Sequence, residues 1–226
     1  DKIIEKSKEL KKGLMQKLFS EGIGHTEFKH TKIGKIPKDW EVVKLKSICI
    51  KRSNKFEPTK SIEERKYIGL EHISPGEHTI NGWGNSNKTL STKSIFDAGD
   101  ILYGKLRPYL DKVWKANFTG VCSTEILVLQ ANEKTIPDFL NLTLQRRFFI
   151  DHTICRTEGT SLPRANWKDI SIFQLALPPL PEQQKIAAIL SEADAKIEKE
   201  QTQKAQLEAL KKGLMQQLLT GKKRVA

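Results

Sequence analysis

The sequence predicts an α/β (α+β) fold: a mixed α/β domain plus a long coiled-coil helix, with a short helix segment at the N-terminus. Three observations carry this. Between Trp40 and Pro178, short β-prone runs alternate with turn residues. From Glu182 to Leu219 there is no proline, and Gly213 is the only glycine. The heptapeptide LKKGLMQ occurs at 10–16 and again at 210–216, each time inside a helical pattern.

Residues 1–24 read as the tail of an amphipathic helix. Ile3, Leu10, Leu14 and Leu18 fall near one face, and Gly22 and Gly24 end it. Residues 25–39 are polar and close at Ile36-Pro37, the pattern of a surface linker. Residues 40–180 make one domain of about 140 residues, an ordinary size for a single core. Strands are expected at Glu41–Leu45, Lys66–Leu70, Asp100–Tyr103, Glu125–Leu129 and Ser171–Leu177. Gly82, Gly84, Asn85 and Asn87 mark a turn-rich loop, and Pro137 opens a helix expected to run to about Phe149. The prolines of Leu177-Pro178-Pro179-Leu180-Pro181 stop the last strand, and Pro181 suits a first helical turn.

Residues 181–226 are the long helix, roughly 57 Å from Glu182 to Leu219 at ~1.5 Å per residue. Positions 186, 190, 193, 197, 200, 204, 207, 211, 214 and 218 step by four and three alternately. They hold Ile, Leu, Ala, Ile, Glu, Lys, Leu, Lys, Leu and Leu, a coiled-coil seam with a polar break at Glu200 and Lys204. Such a seam needs a partner helix. A glycine inside an exposed helix costs roughly 1 kcal/mol relative to alanine. Gly13 and Gly213 therefore mark either a close helix–helix approach or a loosened helix end. The expected interface is Leu10, Gly13, Leu14, Leu18, Ile186, Leu190, Ala193, Ile197, Leu207, Gly213, Leu214 and Leu218.

A formal net charge of +12 points to a polyanion, nucleic acid first, against the alternative of a merely basic soluble protein. No apolar run approaches the ~20 residues that span a bilayer. The charged, amphipathic first residues do not read as a signal peptide, and a chain opening on Asp1 rather than Met is compatible with trimming. Cys49, Cys122 and Cys155 are far apart, without a CxxC or Cys/His cluster, so buried free thiols are expected and no zinc site. A cytoplasmic location is expected from this thiol usage.

The residues also carry a family resemblance. LPPLPEQQKIAAIL, the Lys/Glu/Gln-rich helix after it and LKKGLMQQLLTGKKRV resemble the conserved region of Type I restriction-modification specificity subunits. YIGLEHI at 67–73, GDILYGKLRPYL at 99–110, GVCSTEILVL at 120–129 and GTSLPRANWKDI at 159–170 resemble motifs of that family's target recognition domains. IGKIPKDWEVVKL at 33–45 resembles the entry into such a domain. The usual subunit has two recognition domains and two helical regions, whereas this chain has one recognition domain, one full helix and the tail of another. It therefore reads either as a half-length subunit that dimerises or as the C-terminal half of a full one.

The resemblance implies sequence-specific binding of double-stranded DNA without catalysis, with methyltransferase subunits, and restriction subunits in addition, as partners. No cofactor is implied. The residues agree: the only Pro-Pro pair, Pro178-Pro179, lies between leucines rather than in a base-binding Asn/Asp-Pro-Pro-aromatic motif. There is no P-loop. Asp97 with Asp100 and Glu63 with Glu64 lack the flanking pattern of a nuclease metal site. His25, His30, His72, His78 and His152 are scattered.

Four segments could contact DNA: Lys51, Arg52, Asn54 and Lys55; Asn85, Asn87 and Lys88; Lys105 and Arg107 beside Tyr109; and Arg156, Thr157, Thr160, Ser161 and Arg164. Arg and Asn suit base edges; Lys, Ser and Thr suit phosphates. Lys105, Arg107, Arg156 and Arg164 lie in family-like motifs and are expected to position the duplex. The Gly82–Lys88 loop is the better candidate for reading bases. Each segment could instead be a solvated loop. Two recognition domains on an antiparallel helix pair would read inverted half-sites more than ~34 Å but less than ~57 Å apart. Gln183, Gln184 and the Lys/Glu helix faces would dock methyltransferase subunits, as the family implies. A coiled-coil scaffold or a nonspecific nucleic-acid-binding module remains the competing class.

Overall fold

The computed structural model describes residues 1–60, 63–88, 90–157 and 162–219. It has two compact units: Ser20–Ala187, and Asp1–Phe19 with the chain from Ala188 onward. In chain order, helix α1 (Lys2–Glu21) precedes a hairpin of β1 (Phe28–Thr31) and β2 (Gly34–Pro37). Strands β3 (Glu41–Lys44), β4 (Cys49–Lys51), β5 (Lys55–Phe56), β6 (Lys66–Ile68), β7 (Gly84–Asn85), β8 (Lys93–Phe96) and β9 (Ile101–Gly104) follow. Then come β10 (Val113–Lys115), β11 (Gly120–Cys122), β12 (Ile126–Ala131), helices α2 (Pro137–Leu144), α3 (Arg147–Ile154) and α4 (Trp167–Ile170), β13 (Gln174–Leu177) and α5 (Leu180–Leu219).

Two sheets hold the core of the Ser20–Ala187 unit. One has the order β10-β9-β12-β4; the other is β5-β8-β11-β6-β7, in which only β11 and β6 run parallel. Ile68, Phe96 and Cys122 of the second sheet meet Leu102, Trp114, Ile126 and Val128 of the first in one apolar cluster. Strand alternation turns the neighbouring Tyr103 to the opposite face, where its ring lies 5.5 Å from Phe149 of α3. Helices α2 and α3 cover that face, so the sheet's central strand β9 and the first four residues of β12 are buried on both sides, while β4 leaves Ile50 and Lys51 exposed.

Three expectations are corrected. The segment 25–39 contains the β1–β2 hairpin, not only a linker: Thr31 Oγ1 donates to the Gly34 carbonyl at 2.7 Å, and Gly34 turns at φ +109°. The helix expected from Pro137 to Phe149 is two helices. Arg146 is extended between them, which lets Phe149 reach both Tyr103 and, at 5.1 Å, Phe173. Cys49 and Cys122 are buried, their thiols pushed up to about 12 by burial, but Cys155 is exposed.

The first turn of α5 is fastened by two consecutive side chains. Glu182 accepts from Trp40 Nε1 at 2.8 Å and from the Ile23 N–H at 2.9 Å, with His25 Nε2 at 2.8 Å. Trp40 is fully buried. Gly22 sits against this carboxylate at φ +66°; a Cβ there would lie 2.5 Å from Glu182 Oε1 and 2.8 Å from the Trp40 ring, so only glycine fits. Gln183, also fully buried, has a saturated amide. Its oxygen accepts from Thr135 Oγ1 (3.0 Å) and the Ile136 N–H (3.1 Å), and its nitrogen donates to the Lys134 and Pro178 carbonyls (2.9 Å each). Gln183 is therefore no docking residue, whereas Gln184 is exposed.

In the helical unit α1 and α5 are antiparallel. Asp1 pairs with Lys204, Ser7 Oγ donates to Glu200 at 3.1 Å, and Lys11 pairs with Asp194 at 2.6 Å. The partner of the seam's middle is thus a helix of the same chain, and the break at Glu200 and Lys204 is polar because its counterparts on α1 are polar. Along the seam Ile186, Leu190 and Ile197 are buried and Ala193, Glu200 and Lys204 half-buried, while Leu207, Lys211 and Leu214 are exposed. On α1, Leu18 is buried, Leu14 half-buried and Leu10 exposed. The Leu218 side chain lies outside the described residues. A Cβ at Gly13 or Gly213 would meet nothing within 4 Å, so neither glycine marks a close helix contact within this chain.

Two outcomes follow for stability. Glu182→Ala strands the buried Trp40 N–H, a loss of about 1–3 kcal/mol. In thermal melts it lowers Tm by several degrees, and Glu182→Gln, which keeps an acceptor, lowers it less; equal melts for all three proteins would remove the joint's importance. Gly13→Ala, with open space for its methyl, raises stability by roughly 0.5–1 kcal/mol. A fall in Tm would instead mean that Gly13 faces a partner.

Candidate nucleic-acid interface

Two of the four segments are zipped together by backbone. The Lys105 N–H donates to the Glu125 carbonyl (2.9 Å), the Ala165 N–H to the Lys105 carbonyl (3.0 Å) and the Arg107 N–H to the Pro163 carbonyl (2.8 Å). Leu106 and Arg164 form an antiparallel bridge. The turn beyond is strained. Arg107 (φ 53°), Asp111 (φ 48°) and His78 (φ 58°) are left-handed without being glycine. Asp111 is tied to the 76–78 segment: His78 Nε2 lies 3.0 Å from Asp111 Oδ2, and the Gly76 N–H donates to the Asp111 carbonyl. Each such residue costs of order 1–3 kcal/mol and persists only where its surroundings hold it. The result is a fixed turn that leaves Arg107 and Tyr109 exposed.

Cations gather beside it. Burial pushes the half-buried Lys105 amine below the ordinary lysine range; Glu125 opposes this, and Arg164, Lys51 and Lys55 add to it. Arg164 Nε lies 3.2 Å from Glu125 Oε2. Four cations less one carboxylate leave an excess of three positive charges on this patch. It joins the first, third and fourth segments; Asn54 of the first is exposed, its carbonyl accepting from the Ile95 N–H.

Other expected contacts are engaged elsewhere. Arg52 pairs with Asp97, and its Nε lies 3.2 Å from Asp100 Oδ2; its side chain is 18% exposed, so it is an internal ion-pair residue rather than a presented one. Burial raises the Asp100 carboxyl pKa, against the Asp97 N–H and Arg52. Arg156 is exposed but folds back on the end of α3, Nη1 lying 3.2 Å from His152 Nδ1. Thr157 Oγ1 donates to the Ile154 carbonyl at 2.9 Å. Thr160 and Ser161 lie outside the described residues.

The Gly82–Lys88 loop forms edge strand β7 and a 3-10 turn, Ser86–Lys88. Asn85 Oδ1 accepts from the Asn87 N–H (2.9 Å), and the buried Ser86 hydroxyl accepts from the Arg65 N–H (2.9 Å). Asn87 and Lys88 are left exposed. Two further residues belong to this edge: Trp83, inside the nominated loop but not singled out by its sequence, and Lys66, on the neighbouring strand β6. An aromatic between two glycines, Gly82-Trp83-Gly84, was the available signal.

Among the described residues no group of three or more His, Cys, Asp and Glu is placed to hold a metal ion. No described helix is long and apolar enough to cross a membrane.

The chain is similar to known proteins along its length. It is 30% identical to the Type I restriction enzyme MjaVIII specificity subunit of Methanocaldococcus jannaschii, covering all of this chain and 56% of that protein. It is 31% identical to the putative MjaX specificity subunit of the same organism, covering all of this chain and 53% of that protein. The chain thus spans about half the length of these curated relatives. The crystal structure of the HsdS subunit from Thermoanaerobacter tengcongensis shares its fold, with a TM-score of 0.65 at 24% identity over 80% of this chain and 48% of that one. Residues 37–209 match the family model of the Type I restriction modification DNA specificity domain, and the chain belongs to that family.

Proposed function

We propose that this chain is the DNA-reading half of a Type I restriction-modification specificity subunit: a non-catalytic, cytoplasmic module that recognises one half of a bipartite double-stranded target. In this reading residues 40–180 are the target recognition domain. Residues 181–226, with the helix tail at 1–24, pair helices and dock methyltransferase subunits, and restriction subunits join the assembly. The observation that carries the reading is the patch of Lys51, Lys55, Lys105 and Arg164 beside a strained, fixed turn, in a chain of the DNA specificity family. Lysines there hold phosphates, and the edge loop at 82–88 reads bases.

The repeat supports a second half. In the α1 copy Leu14 and Met15 are half-buried, whereas their α5 counterparts Leu214 and Met215 are exposed, at 44% and 50%. The second copy thus has the sequence of a paired helix without the cover. A second copy of this chain, or the other half of a longer subunit, supplies it.

Two measurements test this. Lys105→Ala weakens binding to any duplex alike and flattens the slope of log K against log salt by about 0.9. Because Lys105 loses its proton below the ordinary lysine range, wild-type affinity falls as pH rises into that region, and the variant lacks this phase; identical profiles would remove Lys105 from the interface. A random-library selection with the chain bound to its methyltransferase subunit returns a split motif, inverted if two copies read it and asymmetric if a different half does. Enrichment of no motif, with only salt-dependent binding, would leave a nonspecific module.

A further inference from the structure

Trp83 is 53% exposed, although Trp40 and Trp114 of the same unit are buried. Its position is nonetheless fixed. Its ring meets Phe118 edge-on at 5.6 Å, and the Lys66 ammonium sits 4.1 Å from the Trp83 centroid and 4.5 Å from that of Phe118. Gly82, at φ +91°, turns the chain into this position.

Strand geometry places polar groups beside the ring. Trp83 directly precedes the edge strand, and Lys66 links the two: it is the cross-strand partner of Asn85 and its ammonium lies over the Trp83 ring. β7 is the edge strand among the described residues, so an exposed indole, an amide and an ammonium stand at the rim of the five-stranded sheet. Asn85 Oδ1 is occupied by the Asn87 N–H, which leaves the amide nitrogen to donate outward.

An exposed indole beside an ammonium has the chemistry to engage nucleic acid: the ring takes an apolar base surface, such as a thymine methyl or a tilted base, and the cation takes the adjoining phosphate. The formal charge of +12 favours a polyanionic occupant over an apolar protein face. We infer that Trp83 is a specificity-determining residue that packs against a target base, with Asn85 donating to the base edge and Lys66 holding the flanking phosphate. This rests on the proposed DNA-reading function and assigns the base contacts of the 82–88 edge loop to named side chains.

The test uses the full chain with two duplexes of equal length, one carrying the selected motif and one scrambled. Trp83→Ala cuts the preference for the motif by about ten- to a hundredfold, as expected for loss of one aromatic–base contact, and leaves scrambled binding unchanged. Trp83→Phe keeps most of the preference. Lys66→Ala weakens both duplexes equally and flattens the salt slope by about 0.9. Thermal melts of each variant verify folding. If Trp83→Ala keeps the wild-type preference, or lowers both affinities alike, the base-reading role is overturned while the DNA-reading function stands. If wild type itself shows no preference, the function falls and this inference with it.

Discussion

The Ser20–Ala187 unit depends on one constraint: a carboxylate and an amide at the start of a helix must each find partners without water. Glu182 and Gln183 are adjacent on α5 but face different surroundings. Glu182 collects Trp40, His25 and the Ile23 backbone; Gln183 collects the carbonyls and donors around 134–136 and Pro178. A buried amide making four hydrogen bonds gains little net energy from each, but losing any one leaves a polar atom stranded in an apolar setting. The pair therefore acts as a lock on position. Pro178 and Pro179 before the helix and Pro181 in its first turn restrict the chain, so little freedom is left to lose when the lock closes. The Glu-Gln pair of the PEQQ stretch is thus explained by folding alone.

The candidate interface inverts this logic. Around Lys105 the chain brings cations together that repel one another, and it holds three left-handed non-glycine residues beside them. Each feature costs stability in the free protein. Backbone ties between 105–107 and 163–165 supply the constraint that keeps the arrangement intact. Under the proposed function, a duplex phosphate would relieve the repulsion that Glu125 alone only partly offsets. The arrangement therefore has the character of a site organised before its ligand arrives, in which ordering costs have been met by folding rather than by binding.

Much of the fold was legible because its signals are local. β-prone runs between turn residues marked the strands near 41, 66, 101, 126 and 174, and proline placement marked the starts of α2 and α5, whereas the short strands β4, β5, β7, β8, β10 and β11 carried too little local signal. The β1–β2 hairpin was not legible: its turn rests on one threonine hydroxyl and one glycine φ, with no Asn-Gly or Asp-Gly pair to announce it. The break at Arg146 was not legible either, since it answers to aromatic rings far away in sequence. The site was harder still. Basic residues could be found by type, but sequence cannot tell that Arg52 is claimed by Asp97 and Asp100 while Lys55 donates to Ser94 and stands near enough to Lys105 to disfavour its charge. Trp83 lies in the Gly82–Lys88 loop that sequence nominates for reading bases, but only the pairing of β6 with β7 shows that Lys66 stands beside it.

The repeat shows the same limit from the other side. Seven identical letters give the same local outcome, a helix with a glycine in it, at both ends of the chain. They do not give the same burial: Leu14 and Met15 are half-covered, Leu214 and Met215 are not. Helix propensity and heptad spacing are properties of the segment, whereas burial belongs to the pair. The antiparallel register makes this concrete. Asp1 lies opposite Lys204, and the exposed stretch of seam begins beyond this pair at Leu207. In a seam with a polar middle, charged pairs such as Lys11 with Asp194 fix the register, while the apolar positions on either side supply the attraction. Under the proposed function, what the α5 copy lacks is a helix in the same antiparallel register, and that demand would be met equally by a second copy or by the other half of a longer subunit.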